Sequence, residues 1–206
     1  SELELASGTD FSQRLFFRQP RSDAEQGLWY FDEMPYRVVV LDPDAQSPAG
    51  RIADRHLVAA YDDPDALNQM AESCAAVTTE FENVPSASLA YLSKFLPVRP
   101  SASAVAISQN RSAEKGFLRQ HGFPHAPYAD IRSEDDITQA NGGLFPGILK
   151  VARFGYDGKG QVRVAGREEA LLAFRQLKNE PCVLEQMLPL DYEVSVVLSR
   201  DEAGGV

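Results

Sequence analysis

Residues 150–161 read KVARFGYDGKGQ, and the fold follows from what lies on either side of them. The run before, Gly147-Ile148-Leu149-Lys150-Val151, is short and apolar, and Val162-Arg163-Val164 reads as the next strand, so the stretch between is a turn joining two strands. Gly155, Gly158 and Gly160 let the backbone take φ > 0 and come close to a ligand, while Lys150 and Lys159 bring positive charge to the same hairpin. Backbone N–H groups and ammonium charges arranged this way suit a cover over phosphates. Glycine-rich hairpins that are only turns have the same composition, so spacing leaves both readings open. Two other phosphate loops are excluded. A Walker A loop needs Gly-Lys followed by Ser or Thr at a helix start, whereas Gly158-Lys159 is followed by Gly160 and a strand, and no G-x-G-x-x-G opens a helix.

Downstream, the spacing predicts a helix over 167–177 with Leu171, Leu172 and Phe174 as its apolar positions, then strands at 182–185 and 193–197. Gly204-Gly205-Val206 follows where a hairpin partner is expected, so the chain reads as cut rather than finished. Upstream, 128–131 is a strand, and Ser133-Glu134-Asp135-Asp136 resembles a capping box for a helix to about 140. Helical segments are expected at 103–108 and 112–121, the second with Phe117 and Leu118 on its buried side. Further back, 36–41 reads as a fully buried parallel strand ending in the turn Asp42-Pro43-Asp44. A strand at 56–60, a helix from Asp63-Pro64 to about 74, a strand at 75–79, a helix at 86–95 and a strand and linker at 97–100 complete the alternation. That order implies a parallel, three-layer α/β unit. Residues 1–35 keep no sustained period and receive no assignment.

The 206 residues suffice for one large or two small domains with real cores. A net charge of −10 argues against a nucleic-acid surface, because phosphate backbones need clustered Lys and Arg, and any anionic ligand must be held by local charge. No run is long enough to span a bilayer and no signal-peptide pattern is seen, so the expected location is cytoplasmic, with no membrane partner. Cys74 and Cys182 lack metal-ligand spacing and read as small core residues.

Glu80 and Glu82 share one side of a strand end, opposite Phe81, at the rim where open α/β sheets place ligands; a solvated strand end has the same pattern. Residues 185–188, Glu185-Gln186-Met187-Leu188, follow a strand, where backbone N–H and C=O can read an adenine edge, and Glu193 suits the two hydroxyls of a ribose. Arg111 near a helix start is ordinary alone. His56, His121 and His125 have no nucleophile or metal partner in the pattern and read as structural. Asp42 sits where a dinucleotide-binding unit holds a ribose, but without a glycine-rich first turn it reads as turn chemistry.

Together these residues resemble the N5-carboxyaminoimidazole ribonucleotide synthetase (PurK) family of ATP-grasp enzymes, over about 36–200. The resemblance is carried by Val39-Val40-Leu41-Asp42-Pro43-Asp44 with Ser47-Pro48-Ala49, by Thr79-Glu80-Phe81-Glu82-Asn83-Val84-Pro85, by Arg111 with Glu114-Lys115, by Lys150 with Gly155-Tyr156-Asp157-Gly158-Lys159-Gly160-Gln161, and by Glu185 with Glu193-Val194-Ser195. It implies an α/β chain with a Rossmann-like pre-ATP-grasp domain at 36–108, a truncated ATP-grasp (α+β) domain at 109–206, and residues 1–35 unassigned. It implies that Arg111, Lys150 and the loop Gly155, Tyr156, Asp157, Gly158, Lys159, Gly160 and Gln161 hold the phosphates of ATP. Glu185, Gln186, Met187 and Leu188 are then the adenine segment, and Glu193 the ribose ligand. Lys150, Lys159 and Tyr156 are the implied catalytic residues, and Glu80, Glu82 and Tyr156 meet aminoimidazole ribonucleotide. The implied reaction uses MgATP and bicarbonate to carboxylate that ribonucleotide in purine biosynthesis, with ADP and phosphate released and a homodimer as the full-length form. The family's Mg²⁺ ligands lie beyond Val206, and its opening G-G-G-Q-L-G-R-M turn has no match in residues 1–35. Another ATP-grasp carboxylate–amine ligase, or a non-catalytic nucleotide-binding fragment, is the alternative.

Overall fold

The computed structural model describes residues 37–79, 81–153 and 160–196, and the backbone alone of residues 15–20 and 36. The chain divides into two units, residues 1–123 and 124–206.

In the first unit, β2 (Tyr36–Leu41) buries Val39, Val40 and Leu41, as a strand covered on both faces must. It pairs in parallel with β3 (Arg55–Leu57), and β4 (Ala76–Thr79) pairs in parallel with β5 (Val98–Arg99). Between the two pairs runs β1 (Leu15–Pro20), antiparallel to both neighbours, with Leu15 opposite Leu41 on one side and Thr79 on the other. The sheet order is β3-β2-β1-β4-β5. Two expectations are corrected here. The sheet is mixed rather than wholly parallel, and part of the unassigned N-terminal stretch supplies its middle strand. The six residues Leu15–Pro20 carry no readable period, and their pairing partners lie far along the chain, at 36–41 and 76–79.

The helices of this unit start where local chemistry says. Asp63 Oδ1 accepts the Ala66 N–H at 2.8 Å and Pro64 takes the first helical position, opening α2 (Pro64–Ser73), which buries Ala66, Leu67 and Met70. A short α1 (Pro48–Ile52), not anticipated, is capped by Ser47 and is too brief to show an apolar period. Gly50 within it lies against the His56 ring, where a Cβ would come within 2.3 Å of Nδ1. Then come α3 (Ser86–Leu92), shorter than expected, α4 (Ala102–Ser108) and α5 (Arg111–Gln120). Helix α5 buries none of its residues: Phe117 is exposed and Leu118 half-buried, against the expectation for both, because periodicity marks an apolar stripe but not what covers it.

The second unit is an antiparallel sheet of order β6-β9-β7-β8, formed by β6 (Tyr128–Ile131), β7 (Gly147–Val151), β8 (Gln161–Val164) and β9 (Cys182–Gln186). Helices α6 (Glu134–Gln139) and α7 (Arg167–Gln176) share one core with it, made of Ile131, Ile137, Leu149, Val164, Ala170, Ala173, Phe174, Cys182 and Leu184. The capping box at α6 is present, with the Ser133 hydroxyl and the Asp136 carboxylate exchanging bonds with each other's backbone N–H. Of the apolar positions of α7, Phe174 is buried and Leu172 is exposed. Residues 193–196 lie outside the sheet, correcting the strand expected at 193–197, whose last residue is outside the described set. Both cysteines are buried and free, as expected.

A candidate nucleotide-binding face and an acidic rim

Period-2 geometry sorts the second unit's sheet into two faces. Leu149, Leu184, Cys182, Ile131 and Val164 turn toward the helices. Their neighbours along each strand, Ile148, Lys150, Val183, Glu185, Tyr128, Asp130, Gln161 and Arg163, therefore belong to the other face. Register brings these residues together. Glu185 stands between Tyr128 of β6 and Ile148 of β7, and Lys150 lies one diagonal step away, opposite both Val183 and Gln161. Lys150 Nζ donates to Glu185 Oε2 at 3.1 Å. The two side chains are 22% and 11% exposed, so water screens the pair only partly. A bond between charged groups in such a place contributes about 1.5–3 kcal/mol. The result is an ammonium group held in a fixed position on the sheet face turned away from the helices, with the half-buried Ile148 and the fully buried Val183 as its neighbours in register.

The hairpin beside it closes where Val151 N–H donates to Gly160 O at 2.8 Å, with Gly160 at φ +72°. Of the loop expected to cover phosphates, Gly155, Tyr156, Asp157, Gly158 and Lys159 lie outside the described residues; Gly160 and Gln161 lie at the start of β8, Gln161 exposed. At the end of β9, Gln186 N–H donates to Pro127 O at 2.9 Å and Met187 N–H to Pro146 O at 3.0 Å. Met187, Leu188 and Glu193 are exposed beyond them.

In the first unit the segment after β4 forms the rim. Glu80 lies outside the described residues and Glu82 is exposed. The backbone here is fastened by Gln109, whose Nε2 donates to Glu82 O at 2.7 Å and Val84 O at 2.5 Å, and by Thr79 Oγ1, which donates to Phe81 O at 2.9 Å. Asp42 does make the expected turn, its Oδ1 accepting the Asp44 N–H at 2.8 Å. The three histidines bind backbone carbonyls: His56 that of Asp42, His121 that of Phe117 and His125 that of Ala126. Arg111 opens α5 behind the Asn110 cap, in the first unit, whereas Lys150 and Glu185 are in the second. Among the described residues no three His, Cys, Asp or Glu side chains gather as a metal site.

Residues 31–109 match the family described as the ribonucleotide synthetase preATP-grasp domain, and residues 116–206 match the ATP-grasp domain. N5-carboxyaminoimidazole ribonucleotide synthase of Brucella melitensis is 42% identical over 174 residues, covering 83% of this chain and 48% of that protein. The chain matches the N5-carboxyaminoimidazole ribonucleotide synthase family over part of that family's length. Among solved structures, N5-carboxyaminoimidazole synthetase from Staphylococcus aureus complexed with ADP superposes with a TM-score of 0.71 at 34% identity, covering 76% of this chain and 42% of that one. The Aspergillus clavatus synthase in complex with ADP and 5-aminoimidazole ribonucleotide gives a TM-score of 0.58 at 27% identity, covering 69% and 38%. The chain spans about half the length of the curated relatives it matches.

The chain thus has a pre-ATP-grasp domain followed by ATP-grasp sequence. Of the residues singled out in the sequence, the fold brings Lys150 and Glu185 into contact. It also adds residues the sequence reading passed over: Tyr128, Ile148 and Val183 on the same sheet face, and Gln109 at the rim. The alternation in 147–151 and 182–186 carried the signal for the first group, but only the register says which residues stand side by side. Nothing local marks Gln109, whose bonds reach back 25 and 27 positions.

Proposed function

We propose that this chain carries the nucleotide site and part of the ribonucleotide site of a synthase that uses ATP and bicarbonate to carboxylate 5-aminoimidazole ribonucleotide. The observation that carries the reading is the Lys150–Glu185 pair on the sheet face turned away from the helices, next to the exit of β9. In this reading Lys150 meets phosphate oxygens, helped by Arg111 and by residues 155–161, with Tyr156 and Lys159 nearest the transferred group. Ile148, half-buried on the same face, lies under the base. Because Gln186 and Met187 spend their N–H groups on Pro127 and Pro146, the adenine edge is read by the Leu188 N–H, with Glu193 accepting ribose hydroxyls. Bicarbonate oxygen attacks the γ-phosphorus and ADP leaves. The exocyclic amine of the ribonucleotide, held near Glu80 and Glu82, then forms the C–N bond to the carboxyl carbon, expelling phosphate and losing a proton. Both reactants are anions, so the cations of the site act by placing them together against their repulsion. Mg²⁺, when bound with ATP, adds charge neutralisation at the phosphates.

Two measurements test this. Titration of ADP into the chain should give binding that Lys150→Met weakens at least about tenfold, since a phosphate contact from an ammonium is lost; equal affinities would remove Lys150 from the site. The chain extended to its relatives' length should release ADP only when bicarbonate and aminoimidazole ribonucleotide are both present. Release that ignores the ribonucleotide would assign a different acceptor.

A further inference from the structure

Residues 81–85 join β4 to α3 and belong to neither, and their carbonyls are met by side chains. Thr79 Oγ1 meets Phe81 O at 2.9 Å, while the Gln109 amide reaches both Glu82 O, at 2.7 Å, and Val84 O, at 2.5 Å. Both partners of Gln109 are carbonyls, which only accept, so the NH2 end of the amide faces them and gives one N–H to each.

The clamp has a fixed base. Gln109 caps the C-terminus of α4, its backbone N–H donating to Val105 O at 3.0 Å, and Val105 is buried in the core of the first unit. On the side it holds, Val84 is fully buried and the Phe81 ring packs on Tyr61 with centroids 5.8 Å apart. Glu82, between these two anchors, is exposed. The backbone that carries its carboxylate is thus fastened at the residue itself and on both sides. Arg111 lies two positions beyond Gln109, but the start of α5 has its own support: Asn110 Oδ1 accepts the N–H groups of Ser112 and Ala113 at 3.0 and 3.3 Å. Loss of the Gln109 amide leaves that cap in place.

We infer that Gln109 is a positioning residue: by holding the carbonyls of Glu82 and Val84 it fixes the backbone from which the Glu82 carboxylate projects, and through Glu82 it acts on the exocyclic amine of the ribonucleotide. This role rests on the proposed reading of Glu82 as part of the ribonucleotide site. Gln109→Met keeps the length of the side chain and removes both donors.

In a crystal structure of the chain, Gln109→Met should displace the Glu82 Cα by about 1 Å or more, enough to spoil a placed contact; an unmoved backbone overturns the inference. In the chain extended to its relatives' length, the same substitution should raise KM for aminoimidazole ribonucleotide about five- to tenfold, as the loss of one or two ordinary hydrogen bonds does, with KM for ATP unchanged. Glu82→Gln should raise that KM as well, and the double variant should be no worse than Glu82→Gln alone, because a residue acting through Glu82 then has nothing left to position. Additive effects, or KM values for both substrates rising together, would make Gln109 a general support of the fold and overturn the inference. If Glu82→Gln leaves KM for the ribonucleotide unchanged, the reading of Glu82 as a ribonucleotide contact falls and the positioning role with it. If Glu82→Gln raises it and Gln109→Met does not, positioning alone falls.

Discussion

Cys182 lies in the second unit's core, and its thiol donates to Glu180 O at 3.1 Å. Burial first, and the Glu180 charge second, push its pKa from 9.0 up to about 11. The folded value lies above the unfolded one, so between them the unfolded chain gives up a proton that the folded chain keeps. This contribution to stability is complete below about pH 9 and is lost as the pH rises toward 11. Urea unfolding at pH 8 and pH 10.5 should show a fall that is smaller in Cys182→Ala; an identical fall in both would show that Cys182 is not its source. That Cys182 is a small core residue was legible from the lack of any metal-ligand spacing. What surrounds it was not, just as Lys150 was found in the sequence but Glu185, 35 positions away, was not recognised as its partner.

Among the elements, α7 ends in an unusual way. Lys178 and Asn179 both take left-handed backbone angles, φ 60° and 56°, with Asn179 N–H donating back to Phe174 O at 3.0 Å. A Cβ in that region costs about 1–2 kcal/mol, and glycine there loses about 0.5–1 kcal/mol of that gain to its freer unfolded state. Lys178→Gly should therefore stabilise the second unit by roughly 0.5–1 kcal/mol in chemical denaturation. A loss instead would mean that the Lys178 side chain contributes more than its backbone strain. In the same last turn of α7, Arg175 clamps Glu134 with two bonds of 2.7 Å, joining α7 to the first turn of α6. The starts of α2 and α6 were readable because Asp63-Pro64 and Ser133 with Asp136 act within three or four positions. Strand β1 was hidden, since Leu15–Pro20 is recognised only by its pairing with Tyr36–Leu41 and Ala76–Thr79, far along the chain.

Across the whole chain, each unit has its own core, one around Met70 and Leu89 and the other around Phe174 and Leu184. Met70→Ala should cost about 2–5 kcal/mol and Phe174→Ala about 3–5 kcal/mol, each through a cavity in its own unit. Amide hydrogen exchange reads the two apart. Met70→Ala should speed exchange at Val39 and Val77 while sparing Leu149 and Leu184, and Phe174→Ala should do the reverse; acceleration of all four by either variant would show a single cooperative core. The net charge of −10 means that phosphate ligands are drawn by a few placed cations and not by the protein's overall field. By itself the sequence determined the starts of α2 and α6, the Asp42 turn, the pairing of strands on either side of residues 152–160 and the alternation of strands and helices, because those depend on residues within a few positions of one another. Only the tertiary structure decided that an N-terminal strand runs antiparallel through the first sheet, that Lys150 meets Glu185, and that Phe117 and Leu172 stay exposed. Strand register and helix placement join residues far apart in the chain, and no local pattern records which face of an element its distant neighbours will cover.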